Sequence, residues 1–510
     1  MQRFRARTAL TMAAAVLVVT AGASPVRGES AGQDTLRVGV ANLPPGRGNP
    51  FDSSGSPEVY TSAALFDSLT QVDTEGVAQP VLATAWENTS PTTWEFQLRE
   101  GVTFSNGEEF NADAVVATIT FLTTDEVGST LVVARDIATV ASAAALDPMT
   151  LEITTKAPDP VLPNRLAGMY IPAPAHFAEV GLDGFAADPI GSGPYAVDSW
   201  ADNMVTLTAV ETSWRAPNIP QLEMIALPEP AARLQALLSD QIDLAVQLSP
   251  DQLPQLEQAG SVANVSSAPQ VMSLAFYTEG ADGPLSSPEV RRALNHAVNK
   301  DSIVDNLLPE EAAPASQGAT PAAFGYDPEL EPFAYDPDLA RELLTEAGYP
   351  DGFSFNAEIV VGSFPADAEI YQLMQQDLAT VGVDVELTQI TFPEWLEKYL
   401  ANGWAGEAFG LSWNTAPLLD AIRPIEIFSC KKDPAFFCDE SIMPLIEEAN
   451  TEFDPAAREG ILHEIWGAMQ ENPPALLLVE QVDIAGMDAN LQGFESVNRR
   501  FPYDEMTFGD

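Results

Sequence analysis

"DPDLARELLTEAGYPDGFSFNAEIVVGSFPADAEIYQLMQQDLATVGVDVELTQI", residues 336–390, decides the fold class. It reads as a helix ending at Gly348 and Pro350, a strand over 353–361, a second helix over 366–382 and a second strand over 383–390. Such βαβ alternation implies a parallel sheet with right-handed crossovers, so the chain is α/β here. A further helix, "FPEWLEKYL" (392–400), leads into a short strand, "AFGLSW" (408–413). Ligands of open α/β sheets bind beyond the carboxyl ends of strands, which places Trp413 where a site is expected.

Working outward, "DTLRVGV" (34–40) points Leu36, Val38 and Val40 inward as an opening strand, and "PPGRGNPFD" (44–52) breaks it into a loop. In 93–110 the strand of Trp94, Phe96 and Leu98 turns at Gly101, then at Asn106-Gly107; Asn111 can cap the helix that follows. "SSPEVRRALNHAVNKDSIVDNLL" (286–308) reads as one amphipathic helix with Ser287 as N-cap and Pro288 at its first position.

The N-terminus carries Arg3, Arg5 and Arg7, an uncharged run from Ala9 to Ala21, and the small-x-small pattern Ala21-Gly22-Ala23. Residues 1–23 are expected to be a secretory signal peptide, since the apolar run falls short of the roughly 20 residues that span a bilayer. Neither cysteine lies near the cut, so a free periplasmic or secreted protein is expected, without a lipid anchor. Cleavage there leaves 20 basic against 74 acidic residues, a net charge of −54. That excludes nucleic acid as a partner and reads as a solvated acidic surface.

Catalytic signatures are missing. The three histidines are far apart, "HEIWG" (463–467) lacks the second histidine of a zinc-protease motif, and none of the five lysines follows a glycine as in a phosphate-binding loop. "GSGPYA" (191–196) matches the dinucleotide glycine spacing but runs into strand-like sequence that offers no helix N-terminus. No metal site and no cofactor are expected. Cys430 and Cys438 have too few neighbouring ligands for zinc and the wrong spacing for a redox pair, so in an exported chain they should form a disulfide.

Five stretches in order, "LREGVTFSNGEEFNADAVV", "PIGSGPYAVDSW", "RLQALLSDQIDLA", 286–308 and "DPDLARELLTEAGYPDGF", resemble the family 5 extracytoplasmic solute-binding proteins of ABC importers. The resemblance implies a type II periplasmic-binding-protein fold: lobe one from 34–58, 188–268 and 483–510, a third subdomain inserted at 59–187, and lobe two from 269–482, closing on a ligand by hinge motion. Carried over by position, ligand contacts fall on Arg47, Gly48, Asn49 and Pro50, and on Ser412, Trp413, Asn414 and Thr415. Trp413 as plain core is the competing reading. The aspartate and arginine with which dipeptide-binding relatives hold a peptide's ends are replaced here by "WNTAP" (413–417) and "VVGSFPAD" (360–367); Asp420 and Arg423 could substitute or could pair with each other.

The expected function is a non-enzymatic solute-binding protein that delivers a small molecule to a membrane permease. The ligand would be a peptide or peptide-like compound, or, given the replaced anchors, a neutral glycoside or opine. The chain is expected to be a monomer. An exported hydrolase and a binding component feeding a chemoreceptor are the alternatives.

Overall fold

The computed structural model of the protein describes residues 34–52, 57–278 and 283–509; the leader expected at 1–23 lies outside them. The expected βαβ unit is present: Phe353–Ile359 and Val383–Gln389 pair in parallel along their whole length, with the helix Asp367–Thr380 between them in sequence. The strand Ala408–Asn414 joins the other edge of Phe353–Ile359, again in parallel.

These three strands form one end of an eleven-stranded sheet. Its order runs 383–389, 353–359, 408–414, 262–276, 475–487, 244–245, 35–40, 221–226, 204–209, 195–200, with Ala313–Pro314 paired to 475–487 off that path. The sheet is mixed. Thr35–Val40 runs parallel to both its neighbours, whereas the two long central strands run antiparallel to each other. Val262 faces Met487 at one end of that central ladder and Ala275 faces Ala475 at the other, with irregularities after Ser267 and after Met272. The ladder therefore joins the two halves of the sheet. On one face the core is continuous across both, from Leu237 and Leu256 through Leu274 and Val482 to Leu294 and Met374.

Residues 83–155 build a separate four-stranded antiparallel sheet, in the order 83–90, 93–98, 150–155, 140–147. Its alternation buries Trp94, Phe96, Leu151 and Ile153 against the helix Ala112–Thr124, which Asn111 caps by accepting the Ala114 N–H, as expected. The side-chain amide of Asn164 donates to the carbonyls of Gly76 and Leu418, each at 2.8 Å, and so ties this region to the strand-end loop of the far half.

One expectation is corrected: 288–308 is two helices, Pro288–Ala297 and Lys300–Leu307. Asn299 is the reason, because its side chain accepts the Ser302 N–H and starts a new helix while its own N–H donates to Asp377. Among the described residues no helix is long and apolar enough to cross a membrane.

Cys430 and Cys438 are joined, as expected, closing a loop in which Lys432 lies 3.8 Å over the Phe436 ring. Replacing both cysteines by serine should cost about 2–3 kcal/mol in denaturant unfolding, the loop-closure entropy released to the unfolded chain. Ligand affinity should not change; a loss of affinity with the fold intact would show that the loop reaches the ligand.

Candidate functional site

The central ladder sets the place of the site, because strand ends from both halves converge beside it. A cavity of about 620 Å³ lies there. Its walls include Ala41 after the first strand, Pro228 and Gln247 from the same half, Ser363 from the other half, and Asp483 and Arg499 beside the ladder. The volume suits a small solute.

Four charged groups of the wall, Arg233, Arg499, Asp483 and Asp367, are engaged by the protein itself, and a fifth, Glu229, is exposed. Arg233 is 2% exposed and donates to four backbone carbonyls, those of Val246, Leu227, Pro228 and Gln247, at 2.6–2.9 Å. Burial lowers its pKa, since a guanidinium deprived of water loses part of what favours its charge. Arg499 grips both oxygens of Asp483, at 2.7 and 2.9 Å, and also reaches Gln270 at 3.2 Å. Burial opposes its charge, but Asp483 outweighs burial and raises the pKa. Gln270 and Asp483 belong to the two different central strands, so Arg499 braces the ladder where it is irregular. Asp367, 3% exposed, accepts the N–H groups of Gly362, Ser363 and Phe364.

A second cavity, of about 390 Å³, is lined by residues that include Tyr170, Arg215, Pro417 and Arg500. It adjoins a buried network that the sequence did not reveal. Asp67, fully buried, accepts from Ser192, Trp214 and Arg215. Burial alone would raise its pKa, but the guanidinium groups of Arg215 and Arg500 hold it below the usual carboxylate range.

None of the ten expected contact residues lines either cavity. In the first loop, Arg47 is exposed and Gly48 donates to the Ala186 carbonyl, so close to Pro189 that a Cβ would sit 2.4 Å from its ring. Asn49 spends its side chain within the loop, donating to Asp52 and accepting from the Phe51 N–H; Pro50 is buried beside it. In the second segment, Ser412 sits opposite Met272, and Asn414 accepts the Ala416 N–H. Thr415, 1% exposed, donates twice to the Pro269 carbonyl.

Trp413 is a core residue. It is 2% exposed, stacks on Phe428 with ring centres 3.7 Å apart, donates to the Ser273 hydroxyl at 3.1 Å, and rests on Gly318, where any Cβ would lie 1.9 Å from the indole. Asp420 and Arg423 do not pair with each other. Asp420 is held by both terminal nitrogens of the buried Arg458 at 2.7 and 2.9 Å, while Arg423 donates to the Asn414 carbonyl. The loop 361–367 lies within "VVGSFPAD" (360–367), which the sequence singled out as the segment replacing the relatives' arginine; the other lining residues come from strand ends and loops far apart in the chain and share no local pattern.

The sequence profile described as bacterial extracellular solute-binding proteins, family 5 middle, matches residues 77–432. The glutathione-binding protein GsiB of Escherichia coli (strain K12) is 26% identical over 471 residues, covering 88% of this chain and 89% of that protein. Among solved structures, the substrate-binding protein CtaP of Listeria monocytogenes superposes with a TM-score of 0.82 at 18% identity, covering 94% of this chain and 100% of that one. The periplasmic binding protein DppA of Helicobacter pylori, in complex with the peptide STSA, superposes with a TM-score of 0.78 at 21% identity, covering 93% and 98%. The shared fold is that of type II periplasmic binding proteins.

Two outcomes follow from this geometry. Trp413→Ala should cost about 3–5 kcal/mol in chemical denaturation, the range for emptying a packed aromatic site; a loss under 1 kcal/mol would contradict the packing described. Glu480, on the second central strand, is 7% exposed, and burial raises its pKa from 4.5 to about 7 against an opposing hydrogen bond from the Tyr326 hydroxyl. Between pH 4.5 and 7 the native carboxyl keeps a proton that the unfolded chain has released, so stability should fall as pH rises through that window, by up to about 3 kcal/mol. Glu480→Gln should flatten that slope, measured as unfolding free energy against pH.

Proposed function

This chain belongs to the bacterial extracellular solute-binding proteins of family 5, and we propose that it holds an uncharged polar solute in the 620 Å³ cavity and releases it to an ABC permease. It is a solute-binding component of an ABC importer and not an enzyme. One observation carries the choice of solute: Arg233, Arg499, Asp483 and Asp367 all have internal partners. What remains for a ligand is mainly neutral chemistry, from Gln247, Ser249, Ser363 and Gln481, beside the single exposed carboxylate of Glu229; the neutral groups donate to and accept from hydroxyls and amides.

Relatives whose names give glutathione or a peptide as ligand support a compound of that size with amide groups. A glycoside or an end-blocked peptide-like compound best fits a wall whose buried charges are already partnered. In this reading lobe one is 34–58, 188–268 and 483–510, the inserted subdomain is 59–187 and lobe two is 269–482. The lobes hinge where the central ladder is irregular, and the mature protein is a periplasmic or secreted monomer.

A thermal-shift screen of neutral and charged solutes tests this. A neutral compound at a hundredfold excess over Kd should stabilise the protein by about 2.7 kcal/mol. It should be recovered chemically unchanged by mass spectrometry, and its Kd should move less than about twofold between 0.05 and 0.5 M salt, because screening acts on charge. Steep salt dependence, or recovery of a reaction product, would refute the proposal.

A further inference from the structure

The segment 417–419 follows a strand of the second lobe, and each of its three carbonyls is met from the other side of the hinge. That of Pro417 accepts the side-chain amide of Asn498 at 3.3 Å. That of Leu418 accepts the side-chain amide of Asn164, in the inserted subdomain, at 2.8 Å. The Leu419 carbonyl lies under Gly76 of the same subdomain: a Cβ there would stand 2.6 Å from its oxygen and 2.2 Å from the Phe324 nitrogen that donates to it. Gly76 has a φ of 75°, so glycine satisfies both the turn and the approach. Nearby, Phe453 of the second lobe packs on the core of the inserted subdomain, its ring centre 6.0 Å from that of Trp94. Asn164 is 9% exposed and bridges the junction, because its amide also donates to the Gly76 carbonyl at 2.8 Å. Asn164, Gly76 and Phe453 line neither cavity.

We propose that the inserted subdomain is a clasp: through Asn164 it holds the second lobe against the first, with or without a solute, which makes Asn164 a positioning residue for solute capture. The inference rests on the hinged lobes of the preceding reading, though not on its choice of cavity or solute, and it gives a task to the subdomain that reading left without one. Opening the hinge strips the Leu418 carbonyl of its partner and uncovers Phe453 and the backbone under Gly76. Each cost favours the closed form, and stabilising the form that retains a solute strengthens capture. No part of the clasp is supplied by the solute, so its effect is present in the empty protein.

The test is a distance, read without solute by double electron–electron resonance. Spin labels on Glu126→Cys in the inserted subdomain and Glu346→Cys in the second lobe occupy exposed sites, and the joined Cys430 and Cys438 take up no label. The otherwise wild-type protein should show a population at the separation of this structure. Asn164→Leu, which keeps the shape and removes the donors, and Asn164→Asp, which turns an acceptor toward two carbonyls, should each lower the ratio of closed to open molecules at least about fivefold, the worth of one such hydrogen bond. Phe453→Ala, at a partly buried site, should shift the ratio in the same direction, and it decides the matter if neither Asn164 variant folds. An unchanged distance distribution, with or without a loss of thermal stability, would overturn the proposal, as would a solute-free protein with no closed population. Opening by the variants of a protein that captures no neutral solute would refute the reading of the cavity and leave the clasp standing. Capture of a neutral solute alongside an unchanged distribution would do the reverse.

Discussion

The hydrogen-bonded ladder between Val262–Phe276 and Ala475–Met487 is the constraint on which the molecule turns. Both strands pass from one half of the sheet to the other, so the halves share backbone bonds and one continuous core face. Strands added on either side bring their ends to the region beside the ladder, and the loops leaving those ends become the walls of a cavity. The ladder is weakest in that same region: after Ser267 its register slips, and Gln270 turns to Arg499, which also holds Asp483 of the opposite strand. A side-chain brace at a gap in backbone pairing leaves the connection intact while removing some of its stiffness.

Local patterns carried the readable part of the fold. Strand alternation, the Asn111 cap and the βαβ unit at 353–389 each concern residues within a few turns of one another, where spacing alone fixes the outcome. The central ladder was not readable, because Val262 meets Met487 only after the rest of the chain has been laid down between them. The same limit explains the site. A tryptophan at a strand end can face a ligand or a core, and the floor that decides it, Gly318, lies far upstream in the sequence. Asp420 looked available beside Arg423, but its partner is Arg458 on a later helix. Spacing put Trp413 and its neighbours near the right end of the sheet; which side chains face the cavity depended on long-range packing.

Formal charge misleads in this protein. Its sum of −51 resides largely in exposed acids, while each buried ion described here has been matched with care. Asp67 with Arg215 and Asp420 with Arg458 are buried pairs between distant segments, Asp483 with Arg499 is a half-buried one, and a buried charge deprived of its partner is expensive. These pairs fix how segments meet. They say nothing of a charged cargo.

The order of strands also bears on how the chain comes to be folded. In the first half of the sheet Thr35–Val40 pairs with 221–226 and with 244–245, and the latter pairs with the far end of 475–487. The junction of that half with the rest of the sheet waits for 475–487, so contacts of very long sequence separation must form before they repay the entropy of bringing them together. Folding is delayed by the topology itself. The first strand thus has both its partners by residue 245, whereas the two halves of the sheet are joined only once 475–487 has been made, so one half can pair before the molecule is closed.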